Sequence, residues 1–418
     1  MTNESGWSVL NHRDFVLVCV ARFAVTLAIH VTNVAIGWYI YDVTGSAFAL
    51  AYLGLAGLLP AVSLVLVTGY VADNYDRRRI LFVSDIVLTL TGLALLWLVA
   101  SDTGLVWPIY LIIIFVSASR AFHNPAGQAI VPALVPHNQL KNAIALSSSM
   151  FQGAQIVGPA LGGILYAFDA KLPFLVAASL YALSSIAALG VRHRSAPVGG
   201  NKAPLTPKSV MAGFAFAWSK PIVFGAVALD ATVVMFGGVV VLLPVFAKDV
   251  LHVGPLGLGL LRAAPAAGAL LMALWLANND FVKRGTGRKL FATIAVYGLA
   301  TALFALSQNF ILSLALLVAV GASDMISVVI RHTMVQAETP DDLRGRVAAV
   351  NTLFISSASE LSQFRAGMMA GLFGAVPAVL IGGIIAASLS VIWPRFFPGL
   401  AARDHLVEQA PTAEPVKP

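Results

Sequence analysis

Charge is what this chain most lacks. Only 11% of its 418 residues are Asp, Glu, Lys or Arg, against 59% hydrophobic residues, whereas an ordinary soluble domain carries about 25% charged side chains. So few charges cannot build a water-exposed surface, which excludes a conventional soluble globule. Cysteine is nearly absent too. Cys19 is the only one; it excludes a disulfide framework or a cysteine-based metal site, and its place inside the first apolar run marks it as helix filling. No HExxH, GxSxG, Walker or CxxC pattern stands between the apolar runs, and those intervals are too short for a catalytic or ATP-binding domain. The chain therefore reads as no enzyme, with no cofactor and no metal site. The N-terminus also lacks a short apolar region followed by a small-residue cleavage site, so the first apolar run is expected to be retained.

A formal net charge of +7 and a pI near 9.6 do not indicate nucleic acid, because such binders concentrate cations on one face or helix. Here the cations sit in short loops between apolar runs. Crossing a bilayer core of about 30 Å takes about 20 helical residues, and many runs reach that length. The first set reads Phe15 to Tyr39, Phe48 to Val71, Ile80 to Val99, Trp107 to Phe122, Ile144 to Tyr166 and Phe174 to Val191. The second reads Ile222 to Ala247, Gly257 to Ala277, Leu290 to Leu306, Ile311 to Ile330, Val347 to Phe373 and Ala378 to Trp393.

The expected fold is therefore all-α and integral to a membrane, with twelve transmembrane helices in two pseudo-symmetric six-helix bundles. The bundles are residues 15–191 and 221–397, after an N-terminal segment 1–14. A polar linker, 192–220, joins them and carries an amphipathic piece around Met211 to Trp218; the polar tail 398–418 is expected to be disordered. With the N-terminus inside, nearly all loop Lys and Arg fall on the cytoplasmic side and only Lys171 and Lys248 on the other, which predicts both termini in the cytoplasm. The halves also repeat. Leu53-Gly54-Leu55 and Pro60 match Leu258-Gly259-Leu260 and Pro265, while Val131, Ala133 and Pro136 match Val335, Ala337 and Pro340, at nearly constant offset.

Ionisable residues at membrane depth are costly and face a cavity or a partner. Arg22, Thr26, His30 and Asn33 share one face of the first span by spacing. Asp230, Asp324 and Arg120 lie in the seventh, tenth and fourth spans. By the repeat, the first half has arginines where the second has aspartates, so Arg22 and Arg120 are candidates to meet Asp230 and Asp324 as a gate across the halves when the cytoplasmic side is closed, and to separate when it opens. Pairing of each charge within its own half is the plainer reading. Glu360, near mid-membrane in the eleventh span, is a candidate proton carrier, and an ion pair with Arg365 is the competing reading. His30, Asn33, Gln152, Glu360 and Arg365 make up the expected cavity set.

Two motifs carry a resemblance. After the second span the chain reads Gly69-Tyr70-Val71-Ala72-Asp73-Asn74-Tyr75-Asp76-Arg77-Arg78-Arg79, and the fifth span contains Gly158-Pro159-Ala160-Leu161-Gly162-Gly163. The first resembles motif A of the major facilitator superfamily, here Gly69, Asp73, Arg77 and Arg78. The second resembles its GPxxGG motif C, in which Pro159 removes a helical N–H and the glycines allow close packing. With Asp324 to Arg331 and Glu360 to Gly367 they look like the bacterial branch containing the enterobactin exporter and drug:proton antiporters. The resemblance implies alternating access and proton-driven efflux of a siderophore or drug-like molecule through the bacterial inner membrane, by a monomer. Its partners would be a small-molecule substrate and the lipid bilayer. Proton-coupled uptake of a metabolite, or a non-transporting receptor or scaffold, stays open at this point.

Overall fold

The computed structural model describes residues 8–193, 207–340 and 343–404. Among the described residues the elements are helices joined by short turns, with no strand. The first half of the chain forms α1 (Arg13–Thr44), α2 (Ala47–Ser63, continued by Val65–Asn74), α3 (Arg77–Ala100), α4 (Trp107–Ile130), α5 (Leu140–Phe168) and α6 (Leu172–Gly190). A linker helix, Pro207–Ser219, precedes the second half: α7 (Pro221–Gly237), α8 (Gly254–Ala277), α9 (Thr286–Leu306), α10 (Phe310–Glu338), α11 (Arg344–Phe373) and α12 (Ala375–Phe396). Residues 194–206 of the expected linker lie outside the described residues.

Among the described residues eight helical segments are long and apolar enough to cross a membrane: α1, α3, α6, α8, α9, α10, α12, and α7 when prolonged to Val250. The first piece of α2 is shorter. Helices α4, α5 and α11 are diluted by polar residues that are turned inward, among them His123, Ser147 and Asn351, all buried. The outward faces are the reverse. Trp97, Phe168, Ile186, Leu271, Ile311 and Phe396 are between 63% and 81% exposed, an apolar surface that lipid, not water, covers. The chain is a multi-pass membrane protein.

Within the first half α1 packs on α5 and α6, α3 on α4 and α6, and α2 on α4. Within the second, α8 packs on α10, α9 on α10 and α12, and α7 on α10, α11 and α12. Two large contacts join the halves, α2 with α11 and α5 with α8. The repeated Leu-Gly-Leu supplies both. A Cβ on Gly54 of α2 would stand 2.6 Å from the Phe364 amide nitrogen in α11, and one on Gly259 of α8 would stand 2.6 Å from the Pro159 carbonyl in α5. Each repeated glycine lets a helix of one half touch the other half's backbone.

The interior is divided unevenly. One apolar core runs through both halves at the end that carries Lys248, from Val34 to Tyr41 of α1 across to Val239, Phe246, Leu258, Phe304 and Ala370. At the other end, where Arg77–Arg79 lie, each half keeps cores of its own. Phe15, Val18, Leu81 and Ile130 belong to one in the first half, and Leu229, Leu290, Ile330 and Met334 to one in the second. The halves are thus welded at the Lys248 end and parted at the Arg-rich end.

Several expected boundaries shift. The fourth span continues to Ile130 and the tenth to Glu338, so Arg120 and Arg331 lie well inside helices and not at their ends. The apolar window stops early there because polar side chains begin to face the protein interior. The expected disorder of the tail does not hold for its first residues: Pro398–Ala401 is helical, the Gly287 amide donates to the Arg403 carbonyl at 2.8 Å, and Arg403 pairs with Glu338 at 2.5 Å. Residues 405–418 lie outside the described residues.

The weld at α5 and α8 is testable. A Cβ on Gly163 would stand 2.5 Å from the Pro255 carbonyl, whereas one on Gly153 meets nothing within 4 Å. Gly163→Val should cost about 1–3 kcal/mol and lower the thermal unfolding midpoint in detergent, while Gly153→Ala should leave it in place. Equal midpoints for the two variants would contradict this packing.

Candidate functional site

Between the parted halves lies a cavity of about 550 Å³. Its polar wall is formed by His30 and Asn33 of α1, Arg120 of α4, Gln155 of α5, Arg262 of α8, Asp324 of α10, and Glu360 and Gln363 of α11. The expected polar stripe on α1 divides along its length. His30 and Asn33 reach the cavity; Arg22 donates instead to the Ser147 hydroxyl of α5 at 2.5 Å, and the Thr26 hydroxyl donates to the Arg22 carbonyl at 2.7 Å. The Arg22 stem lies over Gly127 of α4, where a Cβ would stand 3.4 Å away.

Glu360 projects from α11 into this space. Its Oε2 accepts from Gln363 Nε2 at 2.9 Å, and a Cβ on Gly57 of α2 would stand 2.6 Å from the same oxygen. A carboxylate of the second half therefore rests against a glycine of the first. Arg120 lies within electrostatic reach of Glu360 and of His30, with no hydrogen bond or ion pair of its own among the described residues.

Arg365 does not pair with Glu360. Five residues along a helix is a turn of about 140°, which puts the two side chains on different faces. Arg365 Nε and Nη2 donate to the carbonyls of Met235 and Phe236, each at 3.0 Å, and its guanidinium lies 5.2 Å from the Phe236 ring centre. The seventh span, expected to run unbroken, is interrupted at Gly238-Val239 and resumes irregularly over Val240–Val250. Carbonyls freed by such a break inside a membrane need donors. Arg365 supplies them, and the Tyr297 hydroxyl donates to the Gly237 carbonyl at 3.3 Å. The break lies beside the cavity, whose wall includes Gly237 and Gly238.

Of the two readings of the four gate charges, the aspartates show in this structure the one in which charges pair within their own half. Arg331, 2% exposed, holds Asp230 at 2.7 Å and reaches Asp324 at 3.8 Å. Both aspartates are thus partnered within their own half, and neither Arg22 nor Arg120 pairs with them in this structure. The reason is depth: with α10 continuing to Glu338, Arg331 sits two turns beyond Asp324 on the same face. By the repeat Arg331 stands where the first half has Gly127, the glycine that the Arg22 stem covers.

Gln152 is also off the cavity wall; its Oε1 accepts from Gln155 at 3.0 Å, and Gln155 is the residue that faces the cavity. In motif C, Gly158 and Gly162 face α1, where added Cβ atoms would stand 2.6 Å from the His30 Cβ and 2.8 Å from the Val31 carbonyl. Gly163 faces α8, and Pro159 touches the cavity. In motif A, Gly69 is half-buried in the continuation of α2, and the side chain of Asp73 lies outside the described residues. Arg77 donates to the Ala129 carbonyl at 3.0 Å, and Arg78 to the Ala188 carbonyl at 3.2 Å and the Leu189 carbonyl. These cations close the C-terminal ends of α4 and α6, where helix dipoles are negative.

Sequence reasoning missed other buried charges. Asp85 of α3 is fully buried, with Oδ1 2.9 Å from His123 Nδ1 of α4 and Oδ2 accepting from Ser184 of α6 at 2.5 Å. Arg262 was missed as well. The available signal was a single ionisable residue inside an apolar run, and for Arg331 its seven-residue spacing from Asp324. Among the described residues no group of three or more His, Cys, Asp or Glu could hold a metal ion.

The model of the transmembrane secretion effector family matches residues 4–411. This chain belongs to that family of the major facilitator superfamily. It is 25% identical over 379 residues to macrolide efflux protein A of Streptococcus pyogenes, spanning 87% of this chain and 91% of that protein. To the enterobactin exporter EntS of Escherichia coli it is 27% identical over 356 residues, spanning 82% and 83%. Among solved structures it resembles the nucleoside transporter NupG, with a TM-score of 0.71 at 14% identity over 93% of this chain and 99% of that one. A bacterial homologue of the human lysosomal transporter Spinster, inward-facing and unoccupied, gives 0.73 at 14% over 93% and 98%. At such identity these structures speak to the fold alone. Family and relatives are transporters, so this chain is a membrane transporter and not an enzyme.

The Asp230 and Arg331 pair gives a stability prediction for this transporter. Arg331→Met leaves a buried carboxylate unpaired, which costs about 3–5 kcal/mol, and the double variant Asp230→Asn, Arg331→Met should regain most of that loss. Size-exclusion profiles and thermal unfolding of the purified variants measure both; a double variant no better than the single one would contradict the pairing.

Proposed function

We propose that this transporter exports a small organic molecule across the bacterial inner membrane by alternating access, driven by protons entering through Glu360. The observation that carries the reading is the cavity itself: it lies between the chain halves, and a carboxylate of one half is set against a glycine of the other. In this reading all twelve principal helices cross the membrane as two six-helix bundles, 15–191 and 221–397, with both termini in the cytoplasm and the monomer as the working unit. The excess of Lys and Arg at the parted end supports that orientation. The cavity then opens to the cytoplasm, where it receives substrate.

Glu360 fits a proton carrier because its only hydrogen-bond donor among the described residues is the neutral Gln363, so protonation breaks no ion pair. Arg120 modulates it from the other half. Export follows the relatives, one named for macrolide efflux and one for enterobactin export. Proteoliposomes with an imposed pH gradient test the reading, with a macrolide and enterobactin as probes. Gradient-driven flux should appear in the unmodified protein and fall at least about tenfold in Glu360→Gln. Flux that ignores the pH gradient would sink proton coupling, and no flux of any probe would return the chain to the receptor alternative.

The gate narrows in this reading. Arg120 and Asp324 occupy equivalent repeat positions on opposite walls of the cavity, and the Asp324 side chain is 43% exposed. They are placed to meet when the cytoplasmic side closes. Arg120→Asp and Asp324→Arg should each abolish transport, and the two together should restore part of it. An inactive double variant with a normal folding profile would count against this gate.

A further inference from the structure

Arg262 is the charge this structure leaves unanswered. It projects from α8 into the cavity, its Nε is buried without a hydrogen-bond partner, and among the described residues no carboxylate lies within ion-pair distance. Three other buried cations have an acceptor or a carboxylate: Arg331 has Asp230, Arg22 has Ser147, and Arg365 has two carbonyls. Arg120 has no such partner but lies within electrostatic reach of the Glu360 carboxylate, which Arg262 does not. An unpaired guanidinium kept inside a protein is costly unless something supplies the negative charge.

The surroundings of Arg262 fit a ligand better than a missing protein partner. A Cβ on Gly37 of α1 would stand 3.3 Å from Arg262 Nη2, so one end of the guanidinium rests against a glycine of the opposite half. His30 and Asn33, also on α1, and the break after Gly237 line the same cavity. Glu360 is engaged by Gln363 and Asp324 by Arg331. The planar fork of arginine matches a carboxylate or another oxyanion with two parallel charge-assisted N–H donors; a neutral carbonyl accepts from it more weakly, and an ammonium cannot accept at all.

We propose that Arg262 is the anchor for an anionic oxygen group on the transported molecule, so that the substrate class is an organic acid or phenolate and not a cationic drug. This deepens the transport reading and rests on it. The anchor also joins the two halves: it sits on α8 and bears on α1, so an occupied site adds a contact across the boundary that must rearrange during transport.

Equilibrium binding to the purified full-length protein tests the assignment with three probes sharing one ring system: 2-naphthoate, 2-naphthamide and 2-naphthylmethylamine. The unmodified protein should bind the naphthoate at least about tenfold more tightly than the amide or the amine. Arg262→Gln should erase that preference and Arg262→Lys should keep part of it. Equal or tighter binding of the amine or amide by the unmodified protein would overturn the proposal, even if Arg262→Gln fails to fold. So would a naphthoate preference that survives in a folded Arg262→Gln. Binding needs no gradient, so pH-independent flux with the naphthoate preference intact would count against proton coupling while supporting the anion site.

Discussion

The two halves of this chain are held together at one end only, and the rest of the structure depends on that asymmetry. A common apolar core and two glycine-to-backbone contacts, at Gly54 and Gly259, join them on the Lys248 side. There Lys248 also pairs with Asp42 at 2.6 Å, and the Tyr41 hydroxyl donates to Asp249. On the Arg-rich side each half keeps a core of its own. Close-packed cores do not deform continuously, so a body joined in this way is built as two units about one join, with the cavity in the space between them.

Buried charges sort themselves around this division. Those deep within one half are matched locally: Asp85 with His123 and Ser184, Asp230 with Arg331. Such groups hold helices in register, because leaving either partner alone in a low dielectric is costly. The charges facing the cavity are matched loosely. Arg120, Arg262, Glu360 and Asp324 come from four different helices and both halves, and no two of them form a close pair. The break in α7 follows the same rule, since its free carbonyls on the protein side are taken by Arg365 and Tyr297 while Gly237 and Gly238 line the cavity.

Much of the fold was legible because lipid imposes a simple code: runs long enough to cross, basic loops between them, and a repeated Leu-Gly-Leu. The candidate site was only half legible. His30, Asn33 and Glu360 were found because a polar residue in an apolar run is conspicuous, and the cavity wall includes all three. Partners were harder. Spacing along one helix cannot say which neighbouring helix covers it, so Arg22 was assigned to a gate although α5 covers it, and Arg365 was offered to Glu360 although the break in α7 claims it. Hydropathy also ended α4 and α10 too early, at the points where their inward polar residues begin. That error hid Arg331, and with it the true partner of Asp230.

The central claim is that the halves rock about their join, so that opening one end closes the other. Distances between spin labels measure this directly. One pair replaces Val43 and His252 at the Lys248 end, and a second replaces Arg79 and Arg288 at the Arg-rich end; all four are exposed. Across a range of pH in a lipid bilayer, the first distance should lengthen as the second shortens. Two distances that stay fixed, or that lengthen together, would contradict the account.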